Sequence, residues 1–421
     1  MKPYTAEDFG KNPLMFYYEV TRACDLQCKH CRASAQHEAA PDELTHEQSL
    51  QLIEQVASFP RKPNMCFTGG DPLKRADIFD LLKFAVSKGI MTALTPSATP
   101  LATFEAFRTA KETGVSAIGI SLDGADAVTH DSFRGFEGSF AQTMEMLRFA
   151  QELDFPVQIN TSITKRNFRQ IDQIADLLEN KGIAMWSVFF LVPVGRGVEE
   201  ERISPEEYRW VFERLWKHAQ TKPFSVKTTE APFYRRFVLE QGGNPLAPPP
   251  RFASRSHSAF AANMNRAPEI SGMNSEERSG INSGMNSEVN SGINSVDKSS
   301  GNAENSAVSV HGGHRGGRAP LGITDGRGIM FVAHNGIIYP AGFLPIECGK
   351  FPDVSVVETY QKNPIFQQLQ DPNQYHGICG TCKDRFICGG SRARAYALTG
   401  DYLGPEPDCF FEGTNASLPL T

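Results

Sequence analysis

Residues 15 to 192 alternate short apolar runs with longer stretches of helical periodicity, and this alternation constrains the fold more than any other feature of the chain. Repeats of this kind predict parallel strands, each followed by a helix that returns the chain along the sheet. We therefore expect an α/β fold, a partial (β/α)6 TIM-like barrel, with an open doubly wound sheet as the alternative. The predicted strands are Phe16–Val20, Asn64–Phe67, Thr92–Leu94, Ala117–Ser121, Val157–Thr161 and Trp186–Leu191.

Apolar residues at helical spacing fill the segments after these strands. In one of them, Ile171, Ile174 and Leu178 fall on a single helix face. Cap-like residues precede several of these segments, and glycines follow others, as at helix ends. The predicted helices are Glu47–Ala57, Ile78–Ser87, Phe104–Thr113, Phe140–Leu153, Gln170–Asn180 and Pro205–Gln220.

Three cysteines, Cys24, Cys28 and Cys31, follow the first predicted strand with the spacing C-x3-C-x2-C. Three thiolates on one short loop can hold three irons of a [4Fe-4S] cube and leave the fourth iron without a protein ligand. A cluster used only for electron transfer normally takes four cysteines. The spacing therefore favours a cluster that performs chemistry at its open iron, just past the carboxyl end of a strand, where α/β enzymes place their sites.

A zinc site and unpaired thiols are the alternatives for this loop. Structural zinc sites use ligand pairs such as C-x2-C that a second pair completes within a few tens of residues. The next cysteine, Cys66, stands alone in an apolar strand and is predicted to belong to the core. His30 and His37 do not complete a zinc-finger pattern.

A second group of cysteines lies near the end of the chain, after a predicted hairpin whose turn is His334-Asn335-Gly336. Four thiolates can enclose one zinc ion or bind all four irons of a cube, and their spacing does not choose between the two. The iron–sulfur motif upstream favours the cluster. Cys348 is left without an assignment. The four residues are Cys379, Cys382, Cys388 and Cys409, in the pattern C-x2-C-x5-C followed by a distant fourth cysteine.

Polar residues end several of the predicted strands, as expected for the lining of a site at a barrel mouth. In "FTGGDP", Gly69 and Gly70 would allow positive φ and close approach to a ligand, and Asp71 could meet a ligand amine. An ordinary turn is the alternative for this segment. Ser121 and Asn160 end later strands. Arg134 is predicted either to bind a carboxylate or to be a solvated loop charge.

The bulk composition gives no sign of a polyanionic partner. The formal net charge is −6 and the sequence pI about 6.0, so we expect neither nucleic acid nor an anionic membrane surface as partner. The sequence contains no apolar run long enough to span a bilayer and no signal-peptide core at its start. Nine cysteines, an odd number, fit metal ligation in a cytoplasmic protein better than disulfides.

The triad after strand one, together with Gly-Gly-Asp-Pro (Gly69–Pro72) after strand two, resembles the radical S-adenosylmethionine (SAM) superfamily over about residues 14–200. The resemblance implies that SAM chelates the open iron of a [4Fe-4S] cluster. One electron then cleaves SAM to methionine and a 5′-deoxyadenosyl radical, which abstracts a substrate hydrogen. It also implies that Gly69, Gly70, Asp71 and Pro72 bind the SAM amine, and that Ser121 and Asn160 face its ribose or carboxylate. His30 stands where the family usually has an aromatic residue.

The segment of about residues 325–411 resembles the SPASM extension of the same superfamily. Of its seven usual cysteines, two are replaced here, by Arg392 and Ala341, so the resemblance implies one complete auxiliary [4Fe-4S] cluster on Cys379, Cys382, Cys388 and Cys409. "GGSRARAYALTGD" is similar to radical SAM proteins of heme and heme d1 synthesis. A tetrapyrrole substrate and a flavodoxin- or ferredoxin-type electron donor follow as expectations. A ribosomal-peptide maturase and a non-catalytic iron–sulfur electron carrier are the alternatives, and no catalytic acid is identified.

These resemblances and the composition divide the chain into four parts. Residues 14–220 are predicted to form the core barrel, 221–243 a connecting segment and 322–415 a small SPASM-like iron–sulfur domain. Residues 244–317 are rich in Ser, Asn, Gly and Pro and contain near-copies of "SGINS". Such a segment has too little apolar surface to offset its ordering entropy, so we predict a disordered insertion, with a docking tail as the alternative.

Overall fold

A nine-stranded sheet in the order β7-β6-β5-β4-β3-β2-β1-β8-β9 organises the chain. The structure is a computed structural model that describes residues 4–245 and 322–411. Every pair of neighbouring strands from β7 across to β8 is parallel, and β9 pairs antiparallel with β8. The strands are β1 (Met15–Glu19), β2 (Asn64–Thr68), β3 (Thr92–Leu94), β4 (Ala117–Ser121), β5 (Val157–Ile163), β6 (Met185–Phe190), β7 (Ser225–Thr229), β8 (Ile329–Val332) and β9 (Ile338–Tyr339).

Helices pack against the outer face of this sheet. The segments between strands begin with caps such as Thr45 and Ser204, whose hydroxyls accept backbone N–H groups of the first turn. The helices are α1 (Ala6–Phe9), α2 (His46–Ala57), α3 (Ile78–Ser87), α4 (Phe104–Glu112), α5 (Ala127–Arg134), α6 (Ser139–Glu152), α7 (Ile171–Leu178), α8 (Pro205–Thr221), α9 (Tyr234–Glu240), α10 (Val356–Lys362), α11 (Pro364–Gln370), α12 (Gly377–Thr381) and α13 (Arg392–Thr399).

Alternate residues of the strands point to opposite faces of the sheet, because the side-chain period of a strand is two. In β1, Phe16 and Tyr18 are buried in the core beneath the helices, while Tyr17 between them lines an internal cavity. Inward residues from the other strands line that same cavity, so the sheet curves around it as a partial barrel. These residues include Cys66, Ala93, Gly119, Gln158, Met185, Lys227 and Phe331. The predicted α/β fold with a parallel sheet is confirmed.

The sheet extends beyond the six predicted strands at both ends. The segment 221–243, predicted only as a connection, contains β7 and α9, and β7 pairs parallel with β6. The predicted hairpin with Gly336 in its turn is present as β8 and β9, but β8 also pairs parallel with β1. This part of the chain therefore continues the barrel sheet.

The predicted insertion 244–317 lies outside the described residues, apart from Asn244 and Pro245. In the part of the chain that the structure describes, no helix combines the length and the hydropathy that crossing a membrane requires.

Candidate functional site

The loop after β1 brings Cys24, Cys28 and Cys31 to the wall of the cavity. The loop folds back on itself, since the Cys24 N–H donates to the Gln36 carbonyl at 2.7 Å. Backbone N–H groups are aimed at two of the sulfurs, from Leu26 to Cys24 Sγ at 3.4 Å and from Ala35 to Cys31 Sγ at 3.3 Å. Such donors stabilise thiolates that are bound to a cluster.

Burial favours the protonated form of two thiols of this loop, Cys24 and Cys28. It raises the pKa of Cys24 to about 11, and it raises the pKa of Cys28 as well. These thiols would be protonated at neutral pH unless a positive centre replaced the proton, and iron does so. Within residues 4–245 and 322–411, no group of three or more His, Cys, Asp or Glu side chains converges tightly enough for a single metal ion.

A buried ion pair supports the loop from the side of β4. Arg134 donates from Nη1 to Cys28 Sγ at 3.7 Å and pairs through Nη2 with Asp123 Oδ2 at 2.6 Å. Burial acts to raise the pKa of Asp123, but the charge of Arg134 and the other neighbouring donors lower it overall. Asp123 also accepts the Ser162 N–H at 2.6 Å, which ties the ends of β4 and β5 together. Arg134 therefore meets a carboxylate of the protein, and it is not a solvated loop charge.

His30 lies in the same wall and packs against Phe133 with ring centroids 4.3 Å apart. Burial lowers its pKa to about 4, so the imidazole is neutral at physiological pH. Its Nδ1 has no hydrogen-bond partner among the residues that the structure describes. A neutral ring with one unused nitrogen beside the triad can still contact a bound cofactor as an aromatic residue would.

The backbone of the segment after β2 packs against the cysteine loop. Neither Gly69 nor Gly70 has positive φ. Instead their backbone lies against the cysteine loop, and a Cβ at Gly70 would come within 2.3 Å of the Ala23 carbonyl oxygen. The Gly70 N–H donates to Thr21 and the Asp71 N–H to Ala23. The glycines are required for this close approach, and both line the cavity.

Asp71 is fully buried, and its carboxylate points into the protein. It accepts hydrogen bonds from Thr99 Oγ1 at 2.7 Å and from the N–H groups of Leu73 and Ser97. Burial raises its pKa despite these donors. Asp71 and Pro72, which starts a short 3₁₀ helix, lie behind the wall that Gly69 and Gly70 form. The Asp71 carboxylate therefore connects the loops after β2 and β3.

Ser121, the last residue of β4, and Asn160, in the middle of β5, line the cavity together with the cysteine triad. Asn160 accepts a hydrogen bond from Gln158 at 2.8 Å, which orients its side chain. Ser97, three residues after the end of β3, was not singled out in the sequence. Its hydroxyl donates to the Gly70 carbonyl at 2.9 Å and is 3.7 Å from Cys24 Sγ.

One continuous cavity of about 1060 Å³ connects these groups to the barrel interior. It is larger than the range of about 300–1,000 Å³ that is usual for small-molecule sites. Its wall also contains Glu230 and Asp325, which the sequence did not identify because they follow or precede strands that were not predicted to join the barrel. Cys66, predicted as core, is buried and also lines the cavity.

The second cysteine group is brought together by the segment from α12 to the last described residues. Burial raises the pKa of Cys388 to about 12 and that of Cys409 further, and the neighbouring thiols add to both shifts. N–H groups of Gly390 and Glu406 point at Cys388 Sγ and Cys379 Sγ at 3.4 and 3.3 Å. The guanidinium of Arg392 lies 3.6 Å from Cys379 Sγ. The site therefore has the donors that thiolate ligands need.

Cys382 and Cys348 differ in their surroundings. Arg236 donates to Cys382 Sγ at 3.9 Å, so that Cys382 shares the arginine contacts of the second group. Cys348 is buried near the hairpin, donates to the Ile346 carbonyl at 3.5 Å, and has its pKa raised to about 12 by burial. Cys348 therefore remains a buried thiol.

A partial barrel with three cysteines on the loop after its first strand is the arrangement typical of one class of enzyme. The model of the radical SAM superfamily matches residues 18–178. The chain belongs to the radical SAM superfamily.

Its similarity to particular members extends over nearly the whole chain. It is 31% identical to the AdoMet-dependent heme synthase of Methanosarcina barkeri over 95% of this chain and 97% of that protein. It is 26% identical to the pre-heme d1 synthase of Dinoroseobacter shibae over 93% and 85%. It is 36% identical to the Fe-coproporphyrin III synthase of M. barkeri over 52% and 56%.

Among solved structures, SuiB from Streptococcus suis bound to S-adenosylmethionine aligns with a TM-score of 0.60 and 14% identity, over 95% of this chain and 78% of that one. SuiB has also been solved bound to its precursor peptide SuiA. At this identity the likeness shows a shared fold.

Proposed function

We propose that this radical SAM enzyme acts on an iron tetrapyrrole with carboxylate side chains, in heme-type biosynthesis. The observation that carries the proposal is the similarity to an AdoMet-dependent heme synthase along 95% of the chain, including the C-terminal cysteine segment. The cavity supports it, because the triad stands in the wall of a space larger than most small-molecule sites. A flat macrocycle could lie in this space with one side chain directed at the triad.

The residues of the first site fit a [4Fe-4S] cluster with bound SAM. When bound, this pair supplies a 5′-deoxyadenosyl radical after one-electron reduction. Cys24, Cys28 and Cys31 would hold three irons, with N–H donors to the sulfurs stabilising their negative charge. The cavity-facing backbone of Gly69 and Gly70 would receive the SAM amine.

Polar residues of the barrel strands would bind the rest of SAM. Ser121 and Asn160 offer a hydroxyl and an amide to its ribose or carboxylate. Asp71 and Pro72 would support that site from behind, since the Asp71 carboxylate is occupied by three donors of the protein.

We also propose a second, auxiliary [4Fe-4S] cluster on Cys379, Cys382, Cys388 and Cys409. Four cysteines leave no open iron, so its role would be to pass an electron. Two N–H donors and two guanidinium groups face these sulfurs, which is the setting that anionic thiolate ligands require. Replacing Cys409 by Ala should remove about four irons per chain and leave the first cluster.

The further partners are proposed on the same basis. A flavodoxin- or ferredoxin-type protein would reduce the first cluster, and a cytoplasmic location would keep that cluster in a reducing compartment. The acidic net charge of −6 gives no support for a nucleic acid or an anionic membrane surface as partner.

The test is anaerobic reconstitution with iron and sulfide, followed by dithionite, SAM and Fe-coproporphyrin III. We expect 5′-deoxyadenosine and a change in the mass of the porphyrin, both lost in the Cys28→Ala variant. Cys348→Ala is the matched control, since this buried thiol lies outside both cysteine groups. Cleavage of SAM by Cys28→Ala would contradict the assignment of the first site. Cleavage by the wild type without any change in the porphyrin would contradict the substrate, and leave the ribosomal-peptide alternative to be tested.

A further inference from the structure

Two carboxyl groups share one part of the cavity wall. Glu230 directly follows β7, and Asp325 precedes β8, so they come from near the two ends of the curved sheet. Both line the cavity that the cysteine triad also lines. Asp325 is 3% exposed, and Glu230 is in the interior of the barrel.

The two side chains are held by donors that lie two residues apart, on Ser391 and Ala393. Ser391 Oγ donates to Glu230 Oε2 at 2.5 Å, and the Ala393 N–H donates to Asp325 Oδ2 at 2.9 Å. The two carboxyls interact electrostatically, and a hydrogen bond between them would require a proton on one of the two groups, because a carboxylate only accepts.

The electrostatics place that proton on Glu230. Burial and the charge of Asp325 raise the pKa of Glu230 well above its ordinary value. Burial also raises the pKa of Asp325, but backbone N–H groups that donate to it favour its ionised form. Two neighbouring carboxyls in the wall of one cavity do not readily both ionise. Glu230 is therefore the acid of the pair and Asp325 the carboxylate.

Arg394, which contacts the backbone of Glu230, is already paired with other carboxylates. Arg394 donates to the Glu230 carbonyl at 2.6 Å, but its guanidinium pairs with Glu406 at 3.0 Å and with Asp408 at 3.1 Å. The titratable and charged groups that face the pair from the surrounding elements are Tyr17 of β1, Lys227 of β7, Tyr375, and Arg392 and Arg394 of α13.

The backbone at Glu230 is also unusual, because its φ is +59° although it is not a glycine. Residues other than glycine rarely adopt this region, and such positions concentrate in active sites. This conformation holds the acid directly at the carboxyl end of β7, where barrel enzymes place catalytic groups.

We propose that Glu230 and Asp325 form a catalytic acid–base pair that exchanges one proton with the bound substrate, an inference that rests on the proposed function for the identity of that substrate. In the forward step the O–H bond of Glu230 breaks, and an O–H bond forms on a substrate carboxylate. No electron moves in this step. Uptake of one proton from water returns the pair to its singly protonated state.

The proton itself is tested first, by infrared spectroscopy of the full-length protein labelled with ¹³C at glutamate carboxyls. At neutral pH we expect the carbonyl band of a protonated glutamic acid, shifted in D₂O and absent from Glu230→Gln. Glu207→Gln is the matched control, because Glu207 caps α8 outside the cavity and Gln can make the same cap. A wild-type spectrum at neutral pH without the band of a protonated glutamic acid would overturn the proposal. This outcome is read on the wild type, so it does not depend on whether a variant folds.

The catalytic role is tested by the pH dependence of porphyrin turnover. For Glu230→Gln and Asp325→Asn we expect kcat to fall by about 10²-fold or more, with KM changed less than about threefold and one limb of the pH profile lost. A purely structural pair would lower activity without changing the shape of the profile, and that result would overturn the proposal. One further outcome is a wild type that shows the infrared band of the protonated acid and yet fails to turn over Fe-coproporphyrin III. That result would count against the proposed substrate and would still support the protonated pair.

Discussion

At the scale of single residues, the Gly69–Gly70 pair is constrained by the backbone it touches rather than by its own torsion angles. Each glycine lacks positive φ, yet a Cβ at either would collide with a carbonyl oxygen of the cysteine loop. The sequence predicted positive φ and close approach to a ligand at this pair; neither glycine has positive φ, and the approach to a ligand stays a prediction. The sequence did not reveal the close approach of the loop after β1, because that contact joins residues distant in sequence.

Gly70→Ala should therefore disturb the first metal site. The added Cβ would lie 2.3 Å from the Ala23 oxygen and 2.7 Å from the Arg22 oxygen, so the loop must move. We expect a loss of about 1–3 kcal/mol in stability and a lower iron content after reconstitution. Gly10→Ala is the control, since its nearest contact would be 3.7 Å and its φ is −75°. Equal iron content in the two variants would disprove the constraint.

The pH dependence of stability should report the raised pKa of Glu230. Burial and Asp325 raise this pKa above the ordinary value of about 4.3. Protonated Glu230 therefore stabilises the fold fully below that value, and the contribution is lost as pH rises through the raised pKa. In urea titrations from about pH 6 to about pH 9, the midpoint of Glu230→Gln should fall less than that of the wild type. Parallel curves would show that Glu230 is ionised throughout.

At the scale of elements, the cap that the sequence predicts before the helix at 205–221 is the cap that the structure uses. Ser204 accepts the Glu207 N–H at 3.3 Å, and Glu207 accepts the Ser204 N–H at 2.7 Å, a complete capping box before α8. Ser204→Ala should cost about 0.5–2 kcal/mol by urea unfolding. Thr221→Ala at the exposed other end of α8 should cost less than about 0.5 kcal/mol. A smaller effect at Ser204 than at Thr221 would contradict this account.

The strands of the barrel were predictable where local pattern determines them. β3 and β4 have the predicted bounds, and β1 begins one residue before its prediction, because apolar runs bounded by turns are local signals. β7, "SVKTT", was missed because its inward side includes Lys227, which faces the cavity instead of a packed core. The pairing of β8 with β1 was also missed, since a contact across more than 300 residues leaves no periodic signal.

At the scale of the whole molecule, Arg394 joins the C-terminal segment to the barrel. It donates to the carbonyls of Phe190 and Leu191 at the end of β6 and to the carbonyl of Glu230 after β7. Its charge is balanced by Glu406 and Asp408 from the last described turn. The side chain is fully buried, so these bonds replace water completely. One arginine of α13 thus links two strand ends to the loop that leads to Cys409.

Arg394→Met should destabilise the protein strongly, because it leaves Glu406 and Asp408 buried without a positive partner. Removing one member of a buried ion pair costs about 3–5 kcal/mol. Arg148→Met is the control, since Arg148 is exposed and its pairs with Glu145 and Glu152 contribute no more than about 1 kcal/mol. Urea unfolding followed by tryptophan fluorescence measures both. If Arg394 couples the barrel to the C-terminal segment, its loss should also divide the single unfolding transition into two. The C-terminal segment should then unfold first. An unchanged single transition at the wild-type midpoint would mean that the strand-end contacts of Arg394 carry none of this coupling.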